Sequence, residues 1–263
     1  ARAALAQCPR LYALSRLTGA DGTLKAVVRV HDKEAHTPRS HHGASTTPTP
    51  PGGSASVDDA TPRVLSLYVE GVDAFADTPL LVARAPRVLG STRLATKFDL
   101  YACSPHDGKE TLVATVARNT LGTRWVVDDA AAAAGPSTAP GKPRCVVEYE
   151  ANRFANRPRT MSVALGGRRK TTKFVSRQPE YSPRLGGYCL DFYGRARLAS
   201  VRNFQLIDPD AGPLRPGDEE ARAHLLFGRW SKDEFRLDAK APFSLVDAFG
   251  IAVSSFATKL ACI

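Results

Sequence analysis

The feature that most restricts the fold is an apolar segment near the C-terminus, residues 245–260. Wound as a helix, this segment carries apolar side chains on nearly all sides, which is typical of a helix inside a large core or a membrane. A helix of about 14 residues is only ~21 Å long, shorter than the ~30 Å hydrocarbon layer of a bilayer. The sequence therefore predicts a helix enclosed by a sheet, begun by a capping box of Ser244 and Asp247.

Upstream of this segment, the chain contains about twelve short runs that are rich in Val, Leu and aromatic residues. Several runs alternate apolar with polar residues, as half-buried strands do, and turn residues separate them. The runs are 24–31, 63–71, 78–85, 97–103, 111–118, 123–129, 145–150, 160–165, 188–197, 200–207, 223–230 and 234–239. Because they recur about every ten residues with no βαβ alternation, we expect a sandwich or a closed barrel.

The composition indicates one globular domain with a long insertion. Apolar residues make up 43% and charged residues 24% of the 263 residues, which excludes wholesale disorder. Residues 35–63 contain no aromatic residue and a single Val, so they cannot bury enough apolar area to offset their ordering entropy. We expect a disordered insertion at 35–63 within a domain spanning 24–263, preceded by an N-terminal fragment of uncertain structure at 1–23.

The cysteines and the N-terminus indicate a reducing compartment. Five scattered cysteines form no C-x-x-C pair, which argues against a disulfide framework and a zinc finger and fits the cytosol or nucleus. No stretch reaches the ~18 uninterrupted apolar residues of a membrane span. The first residues lack a long apolar core and an initiating Met, so we interpret them as the beginning of a fragment and not as a secretion signal.

Catalytic and metal-binding motifs are weak in this sequence. Residues 135–143 resemble a phosphate-binding loop, but five residues separate the glycines where four are needed, and Pro143 replaces the Mg²⁺-binding Ser or Thr. The pair His41-His42 lies in the predicted insertion, and the remaining histidines lack metal-ligand spacing. We therefore predict no enzyme activity, no cofactor, no catalytic residue and no metal site.

The charge favours an anionic partner, because the net charge is +10 and the isoelectric point is near 9.6. Residues 151–179 contain many Arg and Lys and no Asp or Glu, whereas residues 208–220 are acidic, so the molecule would be electrically polar from end to end. An anionic membrane surface, a nucleic acid and plain solvation of this run all remain open. The candidate membrane-facing residues are Arg157, Arg159, Arg168, Arg169, Lys170 and Lys173.

Two segments resemble the signatures of one family. Residues 192–205, FYGRARLASVRNFQ, are similar to F-x-G-R-x-x-x-A-S-V-K-N-F-Q, with Arg202 in place of Lys. Residues 248–263 are similar to A-F-x-I-x-x-S-S-F-x-x-K-L-A-C-E, with Ile263 in place of Glu. The chain thus resembles the C-terminal domain of tubby-like proteins over most of 63–263. The resemblance implies a mainly β (α+β) fold, a closed antiparallel barrel of about twelve strands around a central hydrophobic C-terminal helix.

The resemblance also implies a pocket for phosphatidylinositol 4,5-bisphosphate. Arg87 matches a phosphate-binding Arg of the family, but Ala85 stands where the family has a Lys. Loss of that Lys removes a charge-assisted contact worth ~1.5–3 kcal/mol, which neighbouring cations would have to replace. Arg118, in the segment VARNTLGTRW, matches a further basic contact. The candidate phosphoinositide-binding residues are Arg87, Arg118, Arg84, Arg93 and Lys97.

These observations predict a monomeric, phosphoinositide-binding adaptor that is peripheral to the cytoplasmic face of the plasma or ciliary membrane and also occurs in the cytosol or nucleus. By resemblance, a region upstream would bind protein cargo for ciliary trafficking or, in plant-like members, carry an F-box. One alternative is a nucleic-acid-associated transcriptional regulator, although residues 151–179 hold only Phe154 and Phe174 for base stacking. Another is a structural interaction barrel with a decayed lipid site, which Ala85 favours.

Overall fold

The computed structural model describes residues 9–31, 64–85, 97–130, 142–150, 160–166, 171–184, 186–212 and 219–256. The insertion predicted at 35–63 lies outside these residues and stays a prediction. All structural statements below refer to the described residues.

Twelve strands of the described chain close into an antiparallel barrel, in the spatial order β1-β14-β13-β12-β9-β8-β7-β6-β5-β4-β3-β2. A separate two-stranded sheet pairs β10 with β11. The strands are β1 Leu24–His31, β2 Val64–Val69, β3 Leu81–Arg84, β4 Lys97–Cys103, β5 Glu110–Arg118, β6 Arg124–Asp129, β7 Cys145–Tyr149, β8 Met161–Leu165, β9 Thr172–Ser176, β10 Glu180–Ser182, β11 Gly187–Cys189, β12 Phe204–Ile207, β13 Leu225–Arg229 and β14 Glu234–Ala239. The helices are α1 Pro9–Leu14, α2 Glu219–Arg222 and α3 Leu245–Ser254. The predicted closed barrel is confirmed.

One predicted strand is wrong, and one barrel strand was not predicted. The predicted strand 188–197 forms only at its start, as β11 (Gly187–Cys189), and β11 belongs to the small sheet and not to the barrel. Tyr193 and Gly194 both have positive φ, 51° and 73°, so the backbone turns where a strand would continue. The missing barrel strand is β9, whose sequence TKFVS lies within the basic run and pairs with β8 and β12.

Helix α3 runs through the barrel, and each of its residues is buried. The predicted capping box is present: the Asp247 N–H donates to Ser244 Oγ at 3.0 Å, and the Ser244 N–H donates to Asp247 Oδ2 at 3.1 Å. Gly250 allows the helix to approach the wall, because a Cβ at this position would lie 2.9 Å from Cγ2 of Val127 on β6. The prediction that this apolar helix is enclosed by a sheet is therefore confirmed.

The buried carboxylate of Asp247 is neutralised by Arg144, which precedes β7. The Arg144 Nε donates to Asp247 Oδ1 at 2.8 Å, and its Nη2 donates to Ser244 Oγ at 2.9 Å. The same guanidinium pairs with Asp129 at the end of β6 and donates to the Leu14 carbonyl in α1, both at 2.8 Å. One side chain thus joins the barrel wall, the start of α3 and the N-terminal helix.

The N-terminal segment covers the end of the barrel at which α3 begins, here called the entry end. Ala13 and Leu17 are buried in the core, and the Leu17 N–H donates to the Phe243 carbonyl at 2.9 Å. The opposite end, where α3 ends, is called the exit end. It is marked by Ser254, whose Oγ lies 2.8 Å from the Tyr149 hydroxyl at the end of β7.

Replacing Arg144 with Met should lower the free energy of unfolding by about 3–5 kcal/mol, because it leaves the Asp247 carboxylate buried without its cation. Urea unfolding followed by tryptophan fluorescence measures the change. Asp129→Asn is the matched control, since its side chain is 54% exposed and an exposed pair contributes at most about 1 kcal/mol. Similar losses in the two variants would contradict the role assigned to the buried pair.

Candidate anion-binding end of the barrel

Three of the five candidate headgroup residues lie at the exit end. Arg84 is the last residue of β3, Lys97 is the first of β4, and Arg118 is the last of β5. Arg87 and Arg93 lie outside the described residues, in the connection between β3 and β4. The strand order thus brings the ends that carry these cations to neighbouring positions on one rim.

The three cations do not share a face of the sheet. Val116 faces α3, since a Cβ at Gly250 would lie 3.4 Å from its Cγ2, and strand alternation places Arg118 on that same inner face. Lys97 pairs with Ala117, so it lies on the outer face. Arg84 pairs with Asp99 and is also on the outer face. The structure therefore places Arg84 and Lys97 on the outer face and separates both from Arg118.

Arg84 is already occupied by a carboxylate. Its Nη2 donates to Glu110 Oε1 at 2.7 Å, its Nη1 bonds the second oxygen of the same carboxylate, and its guanidinium lies 5.3 Å from the Tyr101 ring centroid. The hydrogen bonds from Arg84 lower the pKa of Glu110. A phosphate would have to displace this bidentate partner in order to bind Arg84.

Lys97 is more available than Arg84. Its Nζ lies 3.0 Å from Asp99 Oδ1, and its side chain is 44% exposed. Asp99 is less exposed, at 23%, and its Oδ1 atom is buried, so exchange of Asp99 for another anion would leave that oxygen without its cation.

Arg118 differs from both because it is half-buried and faces no carboxylate within ion-pair distance among the described residues. Its Nη1 makes one long hydrogen bond, 3.4 Å, to the Thr120 carbonyl, and its Nε is buried without a partner. Burial lowers the pKa of Arg118, because the charged form is less well solvated there. Its register partner Trp125 is fully buried with an unpartnered Nε1. Two N–H donors on neighbouring strands thus lack acceptors at the exit end.

Two of the connections around the rim are basic in sequence, whereas the connection from β1 to β2, which starts and finishes at the same end, contains Asp32, Glu34, Asp58 and Asp59. The connections that join β3 to β4 and β7 to β8 start and finish at strand ends of the exit end, and residues 86–96 and 151–159 contain no Asp or Glu. The acidic segment 208–220 joins β12 to β13, whose linked ends lie at the entry end. The arginines of the two basic connections are Arg87, Arg93, Arg153, Arg157 and Arg159, all outside the described residues.

The other candidate membrane-facing residues belong to a different part of the barrel. Arg168, Arg169 and Lys170 lie outside the described residues, between the ends of β8 and β9 that belong to the entry end. Lys173 is exposed on β9. The basic run 151–179 is therefore divided between the two ends and does not follow one rim.

The first signature segment lies against the outer face of β13 and β14. A Cβ at Gly228 would come within 2.8 Å of Ala196 Cβ, so this glycine permits the close approach. Arg195 fixes the segment by donating from Nη2 to Glu70 at 3.0 Å and to Asp238 at 2.5 Å. The role of Arg195 is therefore structural.

Two exposed apolar residues at the exit end were not predicted from the sequence. Leu121, in the turn between β5 and β6, is 68% exposed, and Val201, in the turn before β12, is 69% exposed. Their only signal in the sequence is a large apolar side chain inside a turn, which is also common in buried turns. Next to Val201, the Arg202 guanidinium lies 5.0 Å from the ring centroid of Phe256, just beyond α3.

Within the described part of the chain, no helix is long and apolar enough to cross a membrane. The same residues contain no cluster of three or more His, Cys, Asp or Glu that could hold a metal ion.

Arg118→Met should leave the free energy of unfolding within about 0.5 kcal/mol of the wild-type value, because the change leaves no carboxylate without its cation. Arg195→Met, in contrast, leaves Glu70 without one of its two arginines and Asp238 without its arginine, and should cost about 2–3 kcal/mol. Urea unfolding of both variants tests the difference. An equal loss in Arg118→Met would indicate that Arg118 has a structural role instead of a binding role.

Comparison with known proteins places this barrel in a family. Residues 165–258 match the model of the Tub family. Tubby-like F-box protein 2 of Arabidopsis thaliana is 43% identical over 88 residues, covering 33% of this chain and 22% of that protein. Tubby-like F-box protein 8 of Oryza sativa is 42% identical over 106 residues, covering 36% and 24%, and Tubby protein homolog 1 of Caenorhabditis briggsae is 41% identical over 88 residues, covering 34% and 19%.

The chain therefore spans between 19% and 24% of the length of these relatives. The family match begins at Leu165, the last residue of β8, and continues through α3, so it includes the helix and the strands beside it. These matches, on a closed twelve-stranded barrel around a buried helix, show that the chain carries a tubby-like C-terminal domain.

Proposed function

We propose that this chain binds the phosphorylated headgroup of an anionic lipid, phosphatidylinositol 4,5-bisphosphate, at the exit end of its barrel. The observation that carries the proposal is Arg118, a half-buried guanidinium with no carboxylate partner among the described residues. It lies on a rim at which two connections, β3 to β4 and β7 to β8, have a net positive charge in sequence. A cation left uncompensated in this way is best satisfied by an external anion.

Phosphate suits the chemistry of this site. A guanidinium offers its N–H donors as a planar fork that matches two phosphate oxygens, and partial burial strengthens the attraction. Lys97, whose side chain is 44% exposed, would reach a second phosphate from the outer face if it released Asp99. Arg84, held by Glu110, would contribute least.

The distribution of charge would orient the barrel on a membrane. Two basic connections, β3 to β4 and β7 to β8, belong to the exit end, and the acidic segment 208–220 belongs to the entry end, where the basic residues 168–170 offset part of its charge. An anionic leaflet attracts the first and repels the second, with each basic residue near the surface contributing about 1 kcal/mol. The exit end would therefore face the bilayer and the entry end would face away from it.

As a reversible membrane anchor, the domain would serve an adaptor. The tubby-like family is non-enzymatic, and the plant relatives named above are F-box proteins, so a partner-binding region outside the barrel would define the cargo. Membrane-protein trafficking at the cytoplasmic face of the plasma or ciliary membrane is the role that this arrangement would serve. Hydrolysis of the lipid would release the protein.

Vesicle sedimentation tests the headgroup site. Phosphatidylcholine vesicles with phosphatidylinositol 4,5-bisphosphate are compared with phosphatidylserine vesicles of matched surface charge. Arg118→Gln should weaken binding to the bisphosphorylated lipid about ten- to hundredfold, the value of one charge-assisted contact of ~1.5–3 kcal/mol. Binding to phosphatidylserine should change only a few-fold.

Arg124→Gln is the matched control, because Arg124 lies on the same rim and loses only its 3.4 Å exposed pair with Glu148. It should change binding to both lipids equally and by a few-fold. Wild-type protein that binds the two vesicle types alike, or an Arg118→Gln variant that binds like the wild type, would refute the headgroup site. Tighter binding to duplex or single-stranded DNA than to any vesicle would instead favour a nucleic-acid partner.

A further inference from the structure

We propose that Leu121 and Val201 insert into the apolar edge of the bilayer when the exit end docks on a membrane. The inference rests on the proposed function, because it takes a lipid surface as the partner. It adds an apolar contribution, independent of the headgroup, at two points of the rim. Leu121 and Val201 are the most exposed large apolar side chains in the described part of the chain, at 68% and 69%.

The turn that carries Leu121 is held by hydrogen bonds between its own residues, and this arrangement leaves Leu121 exposed. Asn119 organises the turn: its Oδ1 accepts from the Arg124 N–H at 3.1 Å, and its Nδ2 donates to Thr123 Oγ1 at 3.1 Å. The Gly122 N–H donates to the Asn119 carbonyl at 3.1 Å. Leu121 is held outward at the tip, one residue after the carbonyl that binds Arg118.

The turn that carries Val201 is fixed in the same manner by Asn203. The Asn203 Nδ2 donates to the Leu198 carbonyl at 2.9 Å, and its Oδ1 accepts from the Arg229 N–H at 2.8 Å. Leu198, in the same turn, is 44% exposed and enlarges the apolar tip. Both tips are thus presented by asparagine-centred turns at the exit end.

The order of the strands places basic sequence between the two tips. Leu121 follows β5 and Val201 precedes β12, and in the barrel these strands are separated by β6, β7, β8 and β9. The connection from β7 to β8, residues 150–160, contains three arginines and one acid, Glu150. Along this arc, the sequence at successive strand ends is apolar at Leu121, net basic between β7 and β8, and apolar again at Val201.

This arrangement matches a bilayer surface better than other anionic partners. A bilayer offers phosphates at its surface and hydrocarbon a few ångströms deeper, so basic and apolar groups on one rim are both satisfied. A nucleic acid offers phosphates to the cations, but it buries apolar side chains only where bases are unstacked. The separation of the two tips across the rim also resists tilting of a docked barrel.

Partition measurements on vesicles test the insertion. Leu121→Ser and Val201→Ser should each weaken binding about tenfold, the loss expected when one aliphatic side chain no longer leaves water. The weakening should be equal on phosphatidylserine and on phosphatidylinositol 4,5-bisphosphate vesicles. Binding of soluble inositol 1,4,5-trisphosphate, measured by calorimetry, should not change, because neither side chain touches the headgroup.

A depth-sensitive readout separates insertion from indirect effects. Leu121→Trp should be quenched by lipids brominated on their acyl chains, beyond the quenching of the two native tryptophans. The matched control is His106→Trp, an exposed turn position between β4 and β5 at the entry end, which should show no added quenching. Quenching at position 106, or its absence at position 121, would overturn the proposal.

The outcomes distinguish this proposal from the headgroup site. If both serine variants bind vesicles like the wild type, or if the wild type binds no vesicle, the insertion is refuted. If the wild type does not bind inositol 1,4,5-trisphosphate and Leu121→Ser still weakens binding to phosphatidylserine vesicles, the headgroup site fails and the insertion stands.

Discussion

The buried ion pair of Arg144 and Asp247 is the constraint on which the barrel depends. A helix that enters an apolar lumen brings unpaired N–H groups with it, and the capping box of Ser244 and Asp247 satisfies two of them. The carboxylate that does so must itself be neutralised, since an isolated charge in a core is very costly. Arg144 meets this need at 2.8 Å and also binds the carbonyl of Leu14. Helix, wall and N-terminal segment are therefore joined at one guanidinium.

The fold followed from the sequence where hydrophobic patterning is unambiguous. Helix α3 was predictable because its apolar residues surround it, and most barrel strands were predictable from short Val-rich and Leu-rich runs. The run 188–197 misled because its aromatic and aliphatic residues are typical of strands, whereas Tyr193 and Gly194 adopt left-handed backbone geometry. Strand β9 was hidden because the polar residues Thr172 and Ser176 share the inward face with the buried Phe174, and Lys173 points outward.

The candidate site followed from the sequence only in part. Resemblance indicated which strand ends carry basic residues, but the face of each side chain depends on register, and a shift of one residue reverses it. Ala117 lies beside Lys97, and Arg118 consequently turns toward the lumen. The partner of Arg84 was equally hidden, because Glu110 is 26 residues away and meets it only after β3, β4 and β5 associate. Pairings of this kind are set by tertiary structure and leave no local pattern.

The seam of the barrel constrains how the molecule can be made. Strand β1 pairs with both β2 and β14, so the barrel cannot close until residues 234–239 have been synthesised and pair with residues 24–31. Helix α3 is translated later still, and the lumen has no filling until it arrives. During synthesis, an incomplete sheet would expose unpaired strand edges and the apolar side chains of the lumen, and both promote aggregation. Premature termination even a few tens of codons from the end should therefore yield an aggregation-prone fragment that engages chaperones, and not a smaller folded barrel.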